Sequence, residues 1–299
     1  MDTPGWPTDS VRSAGSVSIV LPALDEATSL ETALSALAKQ DEHGEVILVD
    51  DGSTDATTAM ARRHGARVVR HPYNMGNGAA IKSGARAAGG DVLVFMDADG
   101  QHDPDDIPRL LERLDEGYDM VVGARSSSSQ ANTGRRLGNR IYNWLASYMT
   151  GHRIEDLTSG FRAVRADKFR EFLHLLPNGF SYPTTITMAF FRAGYPVAYI
   201  PITAGHRTGN SHIKPLRDGL RFLLIIFKVG TLYSPLKIFA PASLALLLLG
   251  FGYYGYSFWT MGRFTNMSAL LLMTGFTTFL IGLVSEQVTA LMYQRRSSG

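Results

Sequence analysis

Asp91-Val92-Leu93-Val94-Phe95-Met96-Asp97-Ala98-Asp99 is the stretch from which the rest of this chain is read. A short apolar run bounded by polar turn residues has the length and composition of a strand buried on both faces. Two carboxylates, Asp97 and Asp99, leave it together at its C-terminal end, and Gly100 follows as a turn residue. Outward from it the same alternation recurs. Val17-Ser18-Ile19-Val20-Leu21 reads as a strand stopped by Pro22, and residues 29–39 place Leu30, Leu34 and Leu37 at helical spacing. Residues 45–49 and 66–70 are strand-like, residues 55–64 and 79–88 are helical, and Met120-Val121-Val122 is a further strand before a helix near Arg135. This alternation predicts an α/β fold with a mostly parallel sheet and helices on both faces. Such sheets bind ligands at the carboxyl ends of their strands, where Pro22, Asp50 and Asp97 fall.

An Asp-x-Asp pair after a strand suits Mg²⁺ or Mn²⁺, because hard divalent cations prefer carboxylate oxygens and complete their shell with phosphate and water. Gln101 offers one more oxygen. The same pair also serves as a turn or helix cap, so it does not decide the matter alone. Asp50-Asp51-Gly52-Ser53-Thr54-Asp55 follows a second strand. Its carboxylates suit a base or ribose, while Ser53 or Asp55 equally suits the cap of the next helix. Of the eight histidines, His71, His102 and His206 lie near motifs, but none is spaced with other ligands as a zinc site requires.

The 299 residues, 45% hydrophobic and 19% charged, suffice for one sizeable core and a separate membrane element. No cysteine is present, which excludes disulfides and thiolate metal sites. The net charge of +2 hides a segregation: residues 1–120 hold 21 acidic and 10 basic side chains, residues 121–237 hold 5 and 16. A basic surface of that kind attracts anionic headgroups or a phosphorylated lipid, or is a plain solvated face; no nucleic-acid partner is expected. Residues 1–16 are polar and lack an apolar h-region, so a disordered tail is expected rather than a secretory signal. Residues 126–133 form a polar loop that reads as a lid or as a linker.

Residues 236–259 and 267–292 are each apolar over more than the roughly 20 residues that a membrane span needs. Arg295-Arg296 follow the second span and only Arg263 lies between the two, so both ends and the larger domain are expected on the cytoplasmic side. Glu286 and Gln287 stand late in the second span, where a carboxylate invites a functional reading. Residues 216–232 combine Leu220, Leu223, Leu224 and Phe227 with Arg217, Arg221 and Lys228. That pattern fits an interfacial amphipathic helix, and equally an ordinary domain helix.

Five motifs occur in order: Leu21-Pro22-Ala23-Leu24-Asp25-Glu26, Val49-Asp50-Asp51-Gly52-Ser53-Thr54-Asp55, Asn74-Met75-Gly76-Asn77-Gly78, Asp97-Ala98-Asp99-Gly100-Gln101-His102 and Asp156-Leu157-Thr158-Ser159-Gly160-Phe161-Arg162. The set resembles the inverting GT-A glycosyltransferases, specifically the dolichyl- and polyprenyl-phosphate hexose synthases, over about residues 17–235; the two spans resemble the membrane hairpin of bacterial members. The resemblance implies a GT-A, Rossmann-like sheet and transfer of a hexose from a nucleotide sugar to polyprenyl phosphate, with Mg²⁺ or Mn²⁺. It places Pro22, Leu24, Glu26, Asp50 and Asp51 around base and ribose, and Asp97, Asp99 and Gln101 at metal and diphosphate, with Ala98 among the donor contacts. Arg125 matches a basic residue on the donor side, and Arg207 and Ser211 match an Arg-x-Gly-x-Ser-Lys element at the phosphates. Asp99, Asp156 and Arg207 are the catalytic candidates, Asp156 as a group positioning hydroxyls or as a turn former. Arg135, Arg136 and Arg140 are candidates to guide the acceptor phosphate, or are exposed helix charges. Phe180-Ser181-Tyr182-Pro183-Thr184-Thr185 is expected on the acceptor side. Asp25 replaces the usual Asn, and Asn77 and His212 replace lysines, for which Lys82 or Lys214 would compensate.

The expected organisation is a tail (1–16), a catalytic domain (17–212), a juxtamembrane region (213–235), a two-helix hairpin (236–294) and a cytoplasmic tail (295–299). The expected setting is a bacterial plasma membrane, with membrane lipids as partners and a homo-oligomer, a tetramer among the possibilities. A processive polysaccharide synthase shares these motifs, but the chain has no Gln-x-x-Arg-Trp element and only two spans. A silent scaffold of the same fold is the other alternative, opposed by Asp97, Asp99, Gln101 and Arg207.

Overall fold

The computed structural model describes residues 15–39, 44–125, 133–179, 181–203, 227, 230–231 and 233–294; the chain divides into two compact units, Met1–His212 and Ile213–Gly299. The first unit is built on seven strands: β1 (Val17–Ala23), β2 (Glu45–Asp50), β3 (Arg67–Arg70), β4 (Val92–Phe95), β5 (Met120–Arg125), β6 (Arg162–Arg165) and β7 (Val197–Ile202). Their order is β3-β2-β1-β4-β6-β5-β7, parallel throughout except that β6 runs antiparallel to β4 and β5.

The helices are α1 (Ala27–Leu37), α2 (Thr57–Arg63), α3 (Asn77–Ala87), α4 (Ile107–Asp115), α5 (Thr133–Thr150), α6 (Ala166–Glu171) and α7 (Tyr182–Ala193). All seven residues of β1 are buried because both faces of the sheet are covered. Val17, Ile19 and Leu21 join Leu30 and Leu34 of α1 and Leu110 and Leu114 of α4 in one core. On the other face α3 lies so close that a Cβ at Gly84 would stand 2.2 Å from Val20 Cγ1, and Phe95 packs on Phe169 of α6 at 4.7 Å.

One expectation needs correction. Pro22 does not stop β1, which continues to Ala23 with Pro22 in register with Val49. The Ala23 carbonyl accepts from Asp51 on the β2 side and the Val20 carbonyl from Met96 on the β4 side, so alternation turns Pro22 toward β4, beyond the end of that ladder. Its missing N–H therefore breaks no bond. The expected mostly parallel sheet is found, with one antiparallel strand at its centre: β6 enters between β4 and β5 with Arg162 opposite both Phe95 and Val122. The segment before it, from Asp156 to Phe161, is thereby delivered to the same carboxyl edge as Asp97.

A strap closes that edge over α3. The backbone of Pro177 and Asn178 crosses the Gly76–Gly78 turn, where a Cβ on Gly78 would stand 2.1 Å from the Pro177 carbonyl oxygen. Ala79 N–H donates to the Asn178 carbonyl at 3.1 Å, and Lys82 Nζ to the Leu176 carbonyl and Asn178 Oδ1 at 3.1 and 2.5 Å. Lys82 is thus committed to the strap.

In the second unit, α8 (Leu236–Met261) and α9 (Asn266–Gln294) form an antiparallel pair, each long and apolar enough to cross a membrane. Gly250 faces Leu272, Gly275 faces Leu247 and Gly282 faces Phe239, and Ser243 Oγ donates to the Gly275 carbonyl at 2.7 Å. Glu286 accepts the Leu236 N–H at 3.2 Å, so this carboxylate meets an otherwise unbonded donor at the start of α8. Residues 126–132, most of the amphipathic stretch 216–232, and Arg295-Arg296 lie outside the described residues.

Gly78→Ala should force the strap off the turn and lower stability by about 1–3 kcal/mol, as overpacking against backbone does. Thermal unfolding of the full chain in detergent checks this, and an unchanged midpoint would contradict it.

Candidate active site

At the end of β4, Asp97 is half-buried and its N–H donates to His102 Nδ1 at 3.3 Å. His102 is itself stacked on Phe161 at 5.0 Å, a packing role. Among the described residues no donor hydrogen-bonds either Asp97 carboxylate oxygen. A Cβ on Gly160 would stand 3.0 Å from Asp97 Oδ2, so the 156–161 segment passes close to this carboxylate. Burial, then the neighbouring Asp99 charge, push the Asp97 carboxyl above its ordinary range, against the pull of His102 and Arg125. Asp99 accepts the Gln101 N–H at 3.1 Å, and Ala98 between the two aspartates is buried. Among the described residues no group of three or more His, Asp or Glu is assembled for a metal. Two carboxylates, one of them without protein donors, fit a hard divalent cation that takes its remaining oxygens from phosphate and water.

Arg125, at the end of β5, faces this pair across β6. Its Nε and Nη2 hold Asp156 Oδ2 and Oδ1 at 2.8 and 3.0 Å, and Nη2 also reaches Thr158 Oγ1 at 2.6 Å. Asp156 further accepts the N–H groups of Thr158 and Ser159 at 3.0 and 3.1 Å. Burial raises the Asp156 carboxyl, but Arg125 and Thr158 outweigh it and hold the group below its usual range. Among the described residues Arg125 Nη1 makes no hydrogen bond.

The ends of β1 and β2 are laced together by side chains. Asp25 adopts a left-handed φ of 54°, tolerable for Asp and Asn, and accepts the Thr54 N–H at 2.7 Å. Asp25 N–H donates to Ser53 Oγ, Glu26 N–H to Thr57 Oγ1 and Ala27 N–H to Asp55 Oδ2, at 3.0, 3.0 and 3.1 Å. Asp50 is buried on the Ser53 N–H at 2.7 Å and on Thr58 Oγ1. Asp51 is buried on His71 and on the N–H groups of Met75 and Gly76. Pro22 is buried, Glu26 is half-buried with Ser29 Oγ on Oε2 at 2.6 Å, and Leu24 is exposed. The structure thus brings Pro22, Leu24, Glu26, Asp50, Asp51, Asp97, Asp99, Gln101, Arg125 and Asp156 to one edge of the sheet.

Arg140 on α5 is exposed; Arg135 and Arg136 share that helix, but their side chains lie outside the described residues, as do Arg207, Ser211, His206, His212 and Lys214. Tyr142 of α5 donates to Thr184 Oγ1 of α7 at 2.8 Å, joining the two helices.

With this geometry, known proteins are informative. The profile of Glycosyl transferase family 2 matches residues 18–173, and that of the GtrB C-terminal hairpin matches residues 234–291. The chain belongs to glycosyl transferase family 2. It is 30% identical to the undecaprenyl-phosphate 4-deoxy-4-formamido-L-arabinose transferase of Pseudomonas syringae pv. syringae, over 90% of this chain and 84% of that protein. It is also 30% identical to the dolichyl-phosphate hexose transferase of Haloferax volcanii, over 71% and 93%. Glucosyl-3-phosphoglycerate synthase from Mycobacterium tuberculosis, solved with Mn²⁺, UDP-glucose and phosphoglyceric acid, shares the fold with a TM-score of 0.59 at 23% identity, over 76% of this chain and 86% of that one.

In this family 2 glycosyltransferase one buried residue escaped the sequence reading. Arg162 is fully buried under the 156–161 segment, its Nη1 donating to the Pro183 carbonyl and Thr187 Oγ1 at 3.3 and 3.1 Å and its Nη2 to the Ser159 carbonyl. It ties that segment to α7, and burial draws its guanidinium below the ordinary value. The available signal was an arginine inside the apolar run Phe161-Arg162-Ala163-Val164.

Asp156→Asn should cost roughly 3 kcal/mol at neutral pH, the scale for removing one partner of a buried ion pair. The folded carboxyl is held low, so its contribution is full above the unfolded value of about 3.9 and is lost as pH falls through the folded value. Melting of both proteins against pH should show a gap that is widest near pH 7 and closes in acid; a pH-independent gap would refute the ion-pair assignment.

Proposed function

We propose that this glycosyltransferase moves a hexose from a UDP- or GDP-linked donor to a polyprenyl phosphate, undecaprenyl or dolichyl, with inversion at the anomeric carbon. The observation that carries the reading is the open Asp97–Asp99 pair at the carboxyl edge, in a chain that also holds two membrane-length helices. The names of the polyprenyl-phosphate relatives support the acceptor class. Helix α5 supports a lipid surface: Ile141, Trp144 and Tyr148 are exposed along one side, with the Trp144 and Tyr148 rings stacked at 6.2 Å. Exposed aromatics beside arginine are the composition of a membrane-interface helix. In this reading the catalytic unit lies at the cytoplasmic face, Arg135, Arg136 and Arg140 receive the acceptor phosphate, and hairpin helices join copies into a homo-oligomer.

The acceptor needs no strong base. A phosphate monoester has a second pKa of about 6 and is largely dianionic at neutral pH. Asp97 and Asp99, with Gln101 beside them, would hold Mg²⁺ or Mn²⁺, which would supply neutralisation of charge on the departing nucleoside diphosphate. The protein's own task is to hold two anions in line and keep donors fixed where charge develops. Asp156 and Thr158 hold the Arg125 guanidinium through Nε and Nη2, so that Nη1 can meet a donor oxygen without reorganising. Arg207 and Ser211 serve the diphosphate, a guanidinium fork suiting phosphate oxygens.

The test is transfer of labelled sugar from a panel of UDP- and GDP-hexoses into organic-extractable polyprenyl phosphate, using purified protein with Mg²⁺ or Mn²⁺. One labelled product is expected. Release of nucleoside diphosphate with no labelled lipid would overturn the acceptor. In the same assay Asp99→Asn should lower turnover at least about 100-fold, and Arg207→Ala should lose roughly 2 kcal/mol of transition-state stabilisation.

A further inference from the structure

Three large apolar side chains stand in water at the carboxyl ends of β1 and β3: Tyr73 is 65% exposed, and Leu24 and Met75 are each 38% exposed. Scattered exposed apolar residues are ordinary, but these three border one loop. The backbone of Tyr73 runs against Gly52, where a Cβ would stand 2.7 Å from the Tyr73 carbonyl carbon. From the other side, Asp25 N–H donates to Ser53 Oγ at 3.0 Å, which sets Leu24 next to the same Gly52-Ser53 turn. Among the described residues the Tyr73 ring stacks on nothing.

The loop that carries Tyr73 is held firmly. Asp51 Oδ1 takes His71 Nδ1 at 2.7 Å and the Met75 N–H at 2.8 Å, and Oδ2 takes the Gly76 N–H at 2.8 Å. His71 Nε2 is joined in turn to Ser83 Oγ at 2.9 Å. Three of roughly four lone-pair sites on Asp51 are thereby used by the protein. Asp51 acts as a strut for the 71–76 loop and has little left for a base, although its motif places it among the base contacts.

We propose that Tyr73 is the stacking platform for the donor's nucleobase, with Leu24 and Met75 forming the apolar rim. The proposal rests on the nucleotide-sugar reading above. The occupant follows from the sheet order, in which β4, β1, β2 and β3 are neighbours. Three strand spacings, roughly 14 Å, separate the end of β4 from the end of β3. A nucleoside diphosphate with its phosphates at Asp97 and Asp99 carries its base across β1 toward Gly52 and Tyr73. Aromatic stacking tolerates any base, so Tyr73 adds affinity for uracil and guanine alike and leaves selection between them to other contacts.

Calorimetric titration of the full chain in detergent with Mg²⁺ tests this, using UDP, GDP and ribose 5-diphosphate, which keeps the sugar and phosphates but lacks the base. Tyr73→Ala should weaken whichever nucleoside diphosphate the wild type binds about tenfold and leave ribose 5-diphosphate within about twofold. Tyr73→Phe should bind as wild type does, and for Tyr73→Ala the donor KM should rise while kcat holds. Unchanged nucleotide binding by Tyr73→Ala, or an equal loss for ribose 5-diphosphate, would overturn the stacking role. A wild-type protein that binds neither UDP nor GDP would overturn the nucleotide reading itself.

Discussion

Carboxylates at the open edge of a parallel sheet can be satisfied by the protein or left for a ligand, and here they divide between the two. Asp50 is buried on the Ser53 N–H and Thr58 Oγ1, Asp51 on His71 and the N–H groups of Met75 and Gly76 in the loop after β3, and Asp156 is filled by Arg125, Thr158 and Ser159. These groups build the site. Asp97 stands among them with no donor from the described residues and with a glycine backbone pressed against it. A half-buried carboxylate with no protein donor is suited to a bound cation, which prefers carboxylate oxygens. The cleft therefore depends on how the surrounding donors are allocated as much as on the Asp-x-Asp pair.

The antiparallel β6 is what makes that allocation possible. By entering between β4 and β5 it places Asp156, Thr158 and Gly160 beside Asp97, and Arg162 beneath them ties the segment to α7. On the opposite flank the strap at Pro177 and Asn178 locks the turn that precedes α3. The strap thus joins the turn before α3 to the segment that leads into α7, and Arg162 joins α7 to the 156–161 segment. For the proposed transfer, fixed donors of this kind would not need to reorient as charge moves.

Much of this was legible in the sequence, for definable reasons. β1, β2 and β4 are short apolar runs, and Leu30, Leu34 and Leu37 repeat at helical spacing, so the first half of the sheet follows from periodicity. The ordered motifs also gathered nine of the candidate residues at one edge, and Arg125 joins them from the end of β5. Pro22 misled because a proline's effect depends on which neighbour its missing N–H faces, and that is a tertiary fact. The direction of β6, the partners of Asp51 and Asp156 and the burial of Arg162 were equally invisible, since each joins residues distant in the chain. Glu286, which the sequence marks only as a carboxylate late in an apolar helix, accepts the first N–H of α8, another pairing between residues distant in the chain.

The central claim is that Asp97 and Asp99 are the carboxylates left for a cation shared with a nucleoside diphosphate. Electron paramagnetic resonance of Mn²⁺ titrated into the detergent-solubilised full chain, with and without UDP or GDP, addresses it directly. The account predicts Mn²⁺ binding that tightens when the cognate nucleotide is added and disappears in Asp97→Asn and Asp99→Asn. Nucleotide-tightened Mn²⁺ binding that persists in both variants would contradict it.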